Sequence, residues 1–168
     1  MSHLINEKDL SFQLYDVLKA DKLVERDRFS DHSRETFDAA IYTATTLAEK
    51  YFAPHNGAAD EHEPQFDGEK VTTLPQVKEA FDHYAASGLI AAQQDYDNGG
   101  MQLPAVVAAA TQSVFLSANP STIAYPFLTT AAANVIKAFG NDQQKATFLP
   151  AMFSGKFAGT MALTEPDV

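Results

Sequence analysis

The residues in this sequence whose types could do chemistry include a cluster of carboxylates around a histidine. Asp60, Glu61 and Glu63 surround His62 in the stretch DEHEP. Carboxylate oxygens and an imidazole nitrogen are ligands that a metal ion accepts. Their spacing matches no established metal-binding motif, and a protein in water needs charged loops. We therefore predict a solvated loop here rather than a metal site.

Three histidines and one glycine run are the other candidates. His32, His55 and His83 have no serine or aspartate partner at the spacing of a catalytic motif, so we predict surface or capping roles. The run Asn98-Gly99-Gly100 follows no strand and lacks the third glycine of a dinucleotide-binding fingerprint. It is typical of a turn that needs positive φ angles.

The composition is that of a globular chain without thiol chemistry. The 168 residues are 45% hydrophobic and 20% charged, which suits one domain with a single core. The absence of cysteine excludes disulfides, thiolate metal sites and a cysteine nucleophile. A formal charge of −10 repels phosphate backbones, so no nucleic-acid partner is expected. The start resembles no signal peptide and no apolar run is long enough to span a membrane, so we expect a cytoplasmic location.

The first half of the chain reads as two helices separated by a charged connector. A short helix should begin near Asp9, and a longer one, capped by Asp31 or Ser33, should end at Pro54. Residues 20–33 form the connector, and residues 55–70 are predicted to be a polar loop. The positions expected to be buried are Leu10, Leu14, Val17 and Leu18 in the first helix and Phe37, Ile41, Ala44, Leu47, Ala48 and Tyr51 in the second.

Two further helices follow the polar loop. Pro75 should be the first residue of a helix that Gly88 ends, and Pro104 should open a helix that runs to about Ala118. Small residues crowd the latter helix and the one after it, which permits close approach of the two. In the helix that begins at Pro75, the inward positions are Val77, Ala80, Phe81 and Tyr84.

The last two helices each contain a proline. Pro126 is expected to interrupt a helical stretch that ends at Gly140, and Pro150 to bend or break a short helix capped by Asp142. The buried face before Gly140 is expected to be Leu128, Ala131, Ala132, Val135, Ile136 and Phe139. The sequence therefore predicts an all-α fold.

The periodicity changes to that of a strand only after Gly155. Residues 157–164 alternate between two faces, one of them carrying Phe157, Met161 and Leu163. A single strand cannot satisfy its own backbone groups. Its backbone groups could remain in water, fold back irregularly on the helices or pair with another copy. We expect residues 157–164 to be either mobile or docked through an intermolecular contact, and not part of an internal sheet.

A set of short motifs resembles the amino-terminal half of the acyl-CoA dehydrogenase flavoprotein family. The resemblance runs from about Tyr42 to the end, and residues 9–18 resemble the leading segment of a longer-chain subgroup with extra residues at both ends. The motifs, in family order, are Gly88-Leu89, Gly99-Gly100, Leu103-Pro104, Asn119, Phe139-Gly140, Gln144-Lys145, Leu149-Pro150, Gly155 and Leu163-Thr164-Glu165-Pro166.

The resemblance implies an architecture of which this sequence is the first part. Family members have a helical domain, a middle β domain and a helical bundle, with FAD between the second and third. The resemblance assigns residues 1–156 to the helical domain, with 1–30 as a leading extension, and 157–168 to the start of a truncated β domain. A carboxylate of the third domain removes the α-proton of a fatty acyl thioester, and the β-hydride passes to the flavin.

The resemblance also supplies the candidate site residues. Met161, Leu163 and Thr164 are expected to face the edge of the flavin, although Met161 replaces the aromatic residue often found there. The substrate-binding candidates are Ile123, Phe127, Leu128 and Ala131, which could equally be core residues. No catalytic residue is expected within this chain.

The leading functional hypothesis is an inactive fragment of an FAD-dependent acyl-CoA dehydrogenase that forms a 2,3-enoyl-CoA. The implied partners are an acyl-CoA substrate, an electron-accepting flavoprotein or similar protein, and further copies of the full-length chain. One alternative is a non-catalytic helical interaction module related to the family. A second alternative is a flavoprotein of this fold that acts near DNA. The charge of −10 disfavours this alternative.

Overall fold

The computed structural model describes residues 2–162, and this part of the chain is built almost entirely of helices. It contains seven α-helices and one short hairpin. The helices are α1 (Glu7–Ser11), α2 (Arg34–Leu47), α3 (Asn56–Glu61), α4 (Pro75–Ala86), α5 (Ala105–Ala118), α6 (Pro120–Phe139) and α7 (Asp142–Phe153), and the hairpin strands are β1 (Gln65–Phe66) and β2 (Val71–Thr72). The predicted all-α class is confirmed.

The core lies where α2, α4 and α5 pack together and α6 covers them. α2 lies against α5, and α6 contacts α3, α4, α5 and α7. Three aromatic rings form the centre: Phe115 of α5 has its ring centroid 4.9 Å from those of both Phe52 and Tyr84. Phe52 and Phe115 are completely buried. The edge-to-face geometry of these rings adds to the stabilisation that burial of their area provides.

Side-chain caps set where three of the helices begin. Ser33 caps α2 in a reciprocal arrangement with Thr36, which decides between the two predicted candidates. The Asn119 side chain accepts from Thr122 N at the start of α6. α7 is capped by Asn141, not by Asp142 as predicted. Asn141 is the cap because its carboxamide oxygen accepts a hydrogen bond from Gln144 N, while Gln144 Oε1 accepts one from Asn141 N.

Neither proline ends its helix, so the predicted interruption at Pro126 is wrong and Pro150 does not break α7. α6 runs through Pro126 and α7 runs through Pro150. A helix-interior proline removes one backbone hydrogen bond and crowds the preceding turn. Pro126 is fully buried where α6 packs against its neighbours. That packing compensates for the lost hydrogen bond, and it cannot be predicted from local helix propensity.

The buried face of α6 also differs from the one predicted. Val135 is 50% exposed and Phe139 is 86% exposed, whereas Thr122 and Thr129 are buried. The threonines are tolerated inside because their hydroxyl groups are satisfied: Thr129 Oγ1 donates to the Tyr125 carbonyl at 2.8 Å. A prediction from hydrophobic periodicity alone places the buried face of α6 wrongly, because two of the residues on that face are polar. The buried residues are Thr122, Ile123, Pro126, Thr129 and Ala133.

Two segments predicted to be irregular contain local structure. The connector holds 3₁₀ turns at Ala20–Glu25 and Asp27–Phe29. The predicted polar loop holds α3, and β1 pairs antiparallel with β2 just before α4. The hairpin turn is stabilised by the Asp67 carboxylate, which accepts from the backbone N–H groups of Glu69 and Lys70.

The amino-terminal segment packs along α2. Tyr15 donates to the Asp38 carboxylate at 2.6 Å, and the Arg34 guanidinium lies 4.0 Å from the centre of the Tyr15 ring. α1 continues into a π-helical turn, Phe12–Val17. Because this turn changes the angular spacing, Leu14 is buried while Val17 and Leu18, predicted to be buried, are more than half exposed.

His55 is buried, which corrects its assignment to a surface or capping role. Its ring is 4% exposed, and Nε2 lies 2.8 Å from the Thr122 hydroxyl. Burial lowers the pKa of His55, and the Tyr51 carbonyl and Glu79 oppose this effect only in part. The neutral imidazole therefore links the turn that follows α2 to the first turn of α6.

The buried His55 predicts acid-sensitive stability. Its pKa is lower in the folded protein than the ordinary value of 6.5, so the unfolded chain binds more protons as the pH falls through that value. We expect the urea midpoint to fall between pH 7.5 and pH 5, and the fall to be smaller in His55→Gln. His62→Gln, at an exposed position, is the control. An unchanged pH dependence in His55→Gln would contradict this assignment.

The predicted strand does not form within the described residues. Residues 158–162 make no strand pairing, and the Gly159 N–H donates to Thr129 Oγ1 at 3.0 Å. This contact is the irregular folding back onto the helices, an option that the prediction of a mobile or intermolecularly docked segment had set aside. Leu163 and Thr164 lie outside the described residues. Backbone alternation cannot produce a strand without a neighbouring strand to bond to.

Candidate functional site

Two adjoining cavities lie between α5 and α6. The outer groove has a volume of about 390 Å³ and is lined by Ala109, Gln112, Ser113, Leu116, Pro120, Ile123, Ala124 and Phe127. The inner cavity, of about 180 Å³, reaches towards α4 and the turn Leu89–Ala91; its walls are Tyr84, Leu89, Ile90, Ala92, Gln93, Gln94, Ala108, Thr111, Gln112, Phe127, Thr130, Ala131 and Asn134. Gln112 and Phe127 line both spaces.

The predicted substrate-binding residues divide between these spaces. Ile123 is 1% exposed and contributes to the outer groove, while Phe127 is half exposed and stands where the two cavities meet. Ala131 lines the inner cavity, and Leu128 lines neither. The small side chains of Ala108 and Ala131 leave the inner space open. The structure therefore brings three of the four candidates together.

A hydrogen-bonded cluster forms the polar end of the inner cavity. Lys137 Nζ donates to Gln94 Oε1 at 2.8 Å, and Gln94 Nε2 donates to Asn134 Oδ1 at 2.9 Å. Asp95 accepts from Arg28 at 2.6 Å and from Lys137 at 3.3 Å. The hydrogen bond from Arg28, followed by that from Lys137, lowers the pKa of Asp95. The cluster therefore ties the segment after α4 to α6.

Sequence reasoning missed this cluster. The sequence feature that could have indicated the cluster is the polar pair Gln93-Gln94, which directly follows the apolar stretch Gly88-Leu89-Ile90-Ala91-Ala92. Gln94 is only 4% exposed, although its type is usually found at the surface. Its partners are 40 or more positions away along the chain, so no local pattern predicts that it is buried.

The turn that follows Gln94 depends on two glycines for different reasons. Gly99 has a φ of +73°, as the sequence predicted for this run. Gly100 has no space for a side chain, because a Cβ atom there would lie 2.1 Å from the Gln94 carbonyl oxygen. The first glycine is required by backbone conformation and the second by close approach of two chain segments.

These two glycines form a matched pair for mutation. Gly100→Ala should force the Gln94 backbone to move and reduce the free energy of unfolding by about 1–3 kcal/mol. Gly99→Ala faces open space, so we expect only the conformational cost of roughly 1 kcal/mol. Urea denaturation followed by circular dichroism measures both. A smaller loss for Gly100→Ala than for Gly99→Ala would contradict the close approach.

The flavin candidate Met161 lies apart from the two cavities. The segment that carries it is fixed to α6 through Gly159 and Thr129. Thr129 and Phe127 are two residues apart, which places them roughly 200° apart around a helix. Met161 is 38% exposed. Met161 lines neither the outer groove nor the inner cavity.

The charged cluster and the other histidines have local partners. His62 Nδ1 lies 3.2 Å from the Ala58 carbonyl at the end of α3, and His83 stacks on Tyr51 with ring centroids 3.7 Å apart. His32 Nε2 bonds to the Met101 carbonyl at 2.8 Å. Across residues 2–162, no three histidine, aspartate or glutamate side chains are arranged to hold a metal ion. Within that range, no helix is long and apolar enough to cross a membrane.

The comparison with protein families decides what this helical arrangement is. The model of the acyl-CoA dehydrogenase amino-terminal domain matches residues 34–156, well over half of the chain. The chain belongs to the acyl-CoA dehydrogenase family. The match begins at the first residue of α2 and continues past the end of α7, so it includes both cavities. It confirms the resemblance on which the sequence-based hypothesis rested.

Three curated relatives agree with the family assignment. The chain is 26% identical to 3-methylmercaptopropionyl-CoA dehydrogenase of Ruegeria pomeroyi, 29% to butyryl-CoA dehydrogenase of Syntrophomonas wolfei and 31% to the broad-specificity linear acyl-CoA dehydrogenase FadE5 of Mycobacterium tuberculosis. Each alignment covers 98–99% of this chain but 28% of the relative. The chain thus corresponds to little more than a quarter of each relative, and their names indicate different acyl groups.

Proposed function

We propose that this chain is the amino-terminal helical domain of an FAD-dependent acyl-CoA dehydrogenase that oxidises an acyl-CoA thioester to the 2,3-enoyl-CoA. The observation that carries the proposal is the family match over residues 34–156, together with relatives named as acyl-CoA dehydrogenases. In this proposal residues 1–156 are the helical domain and residues 157–168 begin the β domain. The base that removes the α-proton comes from a part of the enzyme that this chain does not supply.

The outer groove suits the acyl part of such a substrate. Ile123, Ala124 and Leu116 give it an apolar wall along α5 and α6. Burial of each methylene group contributes about 0.8 kcal/mol, so a groove of this kind favours an aliphatic chain over water. Phe127 and Ala131 continue the wall into the inner cavity. We assign substrate contact to Ile123, Phe127 and Ala131, and to Leu128 from the resemblance alone.

The described residues near Met161 fit FAD in part. Within residues 2–162, the backbone N–H groups of Thr160, Met161 and Ala162 make no hydrogen bond. Such donors suit the acceptor atoms along the pyrimidine edge of a flavin. We propose that Met161, Leu163 and Thr164 contact FAD there. When bound, FAD would supply the hydride-accepting chemistry that amino-acid side chains lack.

An interaction module is the second candidate, and it accounts for exposed apolar side chains on the helices. Phe139 is 86% exposed, Val135 is 50% exposed and Phe148 is 41% exposed, near the junction of α6 and α7. Exposed apolar side chains of this size mark contact with another protein surface. In the enzyme proposal the same residues contact further domains or another copy of the chain, so the surface alone does not separate the two functions.

An activity measurement separates the two functions. The 168-residue chain and the protein encoded by the complete reading frame that contains it are each incubated with FAD, acyl-CoA thioesters of increasing length and an artificial electron-accepting dye. We expect dye reduction and enoyl-CoA formation only with the complete product, because in this proposal the base comes from another part of the enzyme and the net charge of −10 disfavours binding of the CoA phosphates. Turnover by the chain alone would refute its proposed inactivity. No turnover by a complete, FAD-loaded product would favour the interaction module.

A further inference from the structure

Tyr84 places an unused hydroxyl group in the inner cavity. The residue is 8% exposed, and its ring packs against Phe115 at 4.9 Å and Phe52 at 6.3 Å. The polar end of the side chain is therefore the part left to face the cavity that Tyr84 lines. Within residues 2–162 the hydroxyl makes no hydrogen bond to a protein group and is not among the fully enclosed polar atoms, so it is open to water or to a ligand.

The opposite wall of the cavity supplies further donors. The Gln94 amide uses its oxygen for Lys137 and one N–H for Asn134, which leaves its second N–H. Asn134 accepts through Oδ1, so both of its amide N–H groups remain as donors. Burial raises the pKa of Tyr84, so its hydroxyl keeps its proton at neutral pH. These free N–H and O–H groups match an oxygen acceptor.

The size and position of the cavity restrict what can enter it. A volume of about 180 Å³ corresponds to roughly six non-hydrogen atoms, if each occupies the 30 Å³ of a water molecule. Leu89, Ile90 and Ala108 give the remaining walls an apolar character. Phe127 and Gln112 line both the cavity and the outer groove, which places the two spaces side by side.

We propose that the inner cavity binds the distal end of an acyl chain that carries a neutral oxygen, such as a hydroxyl, ether or ketone group. Tyr84 donates a hydrogen bond to that oxygen, and Gln94 or Asn134 provides a second. The proposal rests on the proposed function, because it requires the outer groove to hold the acyl chain. A purely hydrocarbon end would displace water from these donors without replacing its hydrogen bonds, which weakens its binding relative to an oxygen-bearing end.

Binding to the 168-residue chain tests this specificity without turnover. Pantetheine thioesters of unsubstituted acyl groups with six, eight and ten carbons are titrated by NMR against the matching ω-hydroxyacyl thioesters. For at least one length we expect the hydroxylated ligand to bind about fivefold more tightly, the effect of one net hydrogen bond. Tyr84→Phe should abolish the preference and keep binding of the unsubstituted ligand, because the ring shape is unchanged. Urea denaturation shows whether each variant is folded.

Tyr125→Phe is the matched control, because Tyr125 also lies on a helix but is 39% exposed and does not line the inner cavity. It should retain the preference. Equal affinities at all three lengths, no binding of any ligand, or a preference that survives Tyr84→Phe would each overturn the proposal and leave a hydrated cavity only. Because this experiment needs neither FAD nor the rest of an enzyme, failure of turnover in the complete protein would not alter its result.

Discussion

Replacement of Phe115 by alanine is expected to lower the free energy of unfolding by about 3–5 kcal/mol. Phe115 is completely buried and is the one ring within 5 Å of both Phe52 and Tyr84. Its removal loses the burial of the ring, leaves a cavity and breaks two edge-to-face contacts. The measurement is the urea dependence of the far-ultraviolet circular dichroism signal at pH 7.5.

Leu116→Ala is the control for this substitution. Leu116 is the next residue of α5, but it is 49% exposed, so its replacement should cost about 1 kcal/mol or less. Phe115→Leu provides a variant that still folds if the alanine variant does not, and we expect a loss of about 1–2 kcal/mol because most of the volume remains. Equal losses for Phe115→Ala and Leu116→Ala would contradict the central position of this ring.

Replacement of Asn119 by alanine is expected to cost about 2–4 kcal/mol, from loss of the cap together with an unsatisfied buried carbonyl. Asn119 is completely buried, and its oxygen accepts from Thr122 N at 2.9 Å. Its amide nitrogen donates to the Phe52 carbonyl at 3.1 Å. One side chain thus begins α6 and also satisfies the backbone at Phe52, the last residue of a π-helical turn, Ala48–Phe52, that follows α2.

Asn141→Ala separates these two roles. Asn141 caps α7 through Gln144 N, but it is exposed and has no buried carbonyl to satisfy. Its replacement should cost only the capping contribution, about 1 kcal/mol. Chemical denaturation of both variants, under the same conditions, gives the difference. If Asn119→Ala loses no more than Asn141→Ala, the bond to Phe52 does not contribute to stability.

Much of the fold could be predicted because the responsible interactions are local. Pro75 is the first residue of α4, and Gly88, with a φ of +79°, follows the end of that helix as expected. Ser33 caps α2 from one of the two predicted positions. Such caps and stops act over three or four residues, so neighbouring sequence contains the information they need. The predicted interruption of α6 at Pro126 failed because tertiary packing opposed a local preference.

The candidate site was only partly predictable, and the reason is distance along the chain. The resemblance pointed to Ile123, Phe127 and Ala131, which the structure places around adjoining cavities. It did not point to Tyr84 or Gln94, whose cavity neighbours on α6 are about 40 residues away. Neither residue carries a motif, since a tyrosine on a helix and a glutamine in a turn are common.

By itself, the sequence determined the helical class, most helix starts and membership of the acyl-CoA dehydrogenase family. Each of these depends on residue type, short-range spacing or motifs in order along the chain. The tertiary structure alone decided that α6 continues through Pro126, that Thr122 and Thr129 face inward, and that His55 is buried. The physical reason is that burial and hydrogen-bond satisfaction depend on partners supplied by other helices, and a one-dimensional pattern does not specify which helix will supply them.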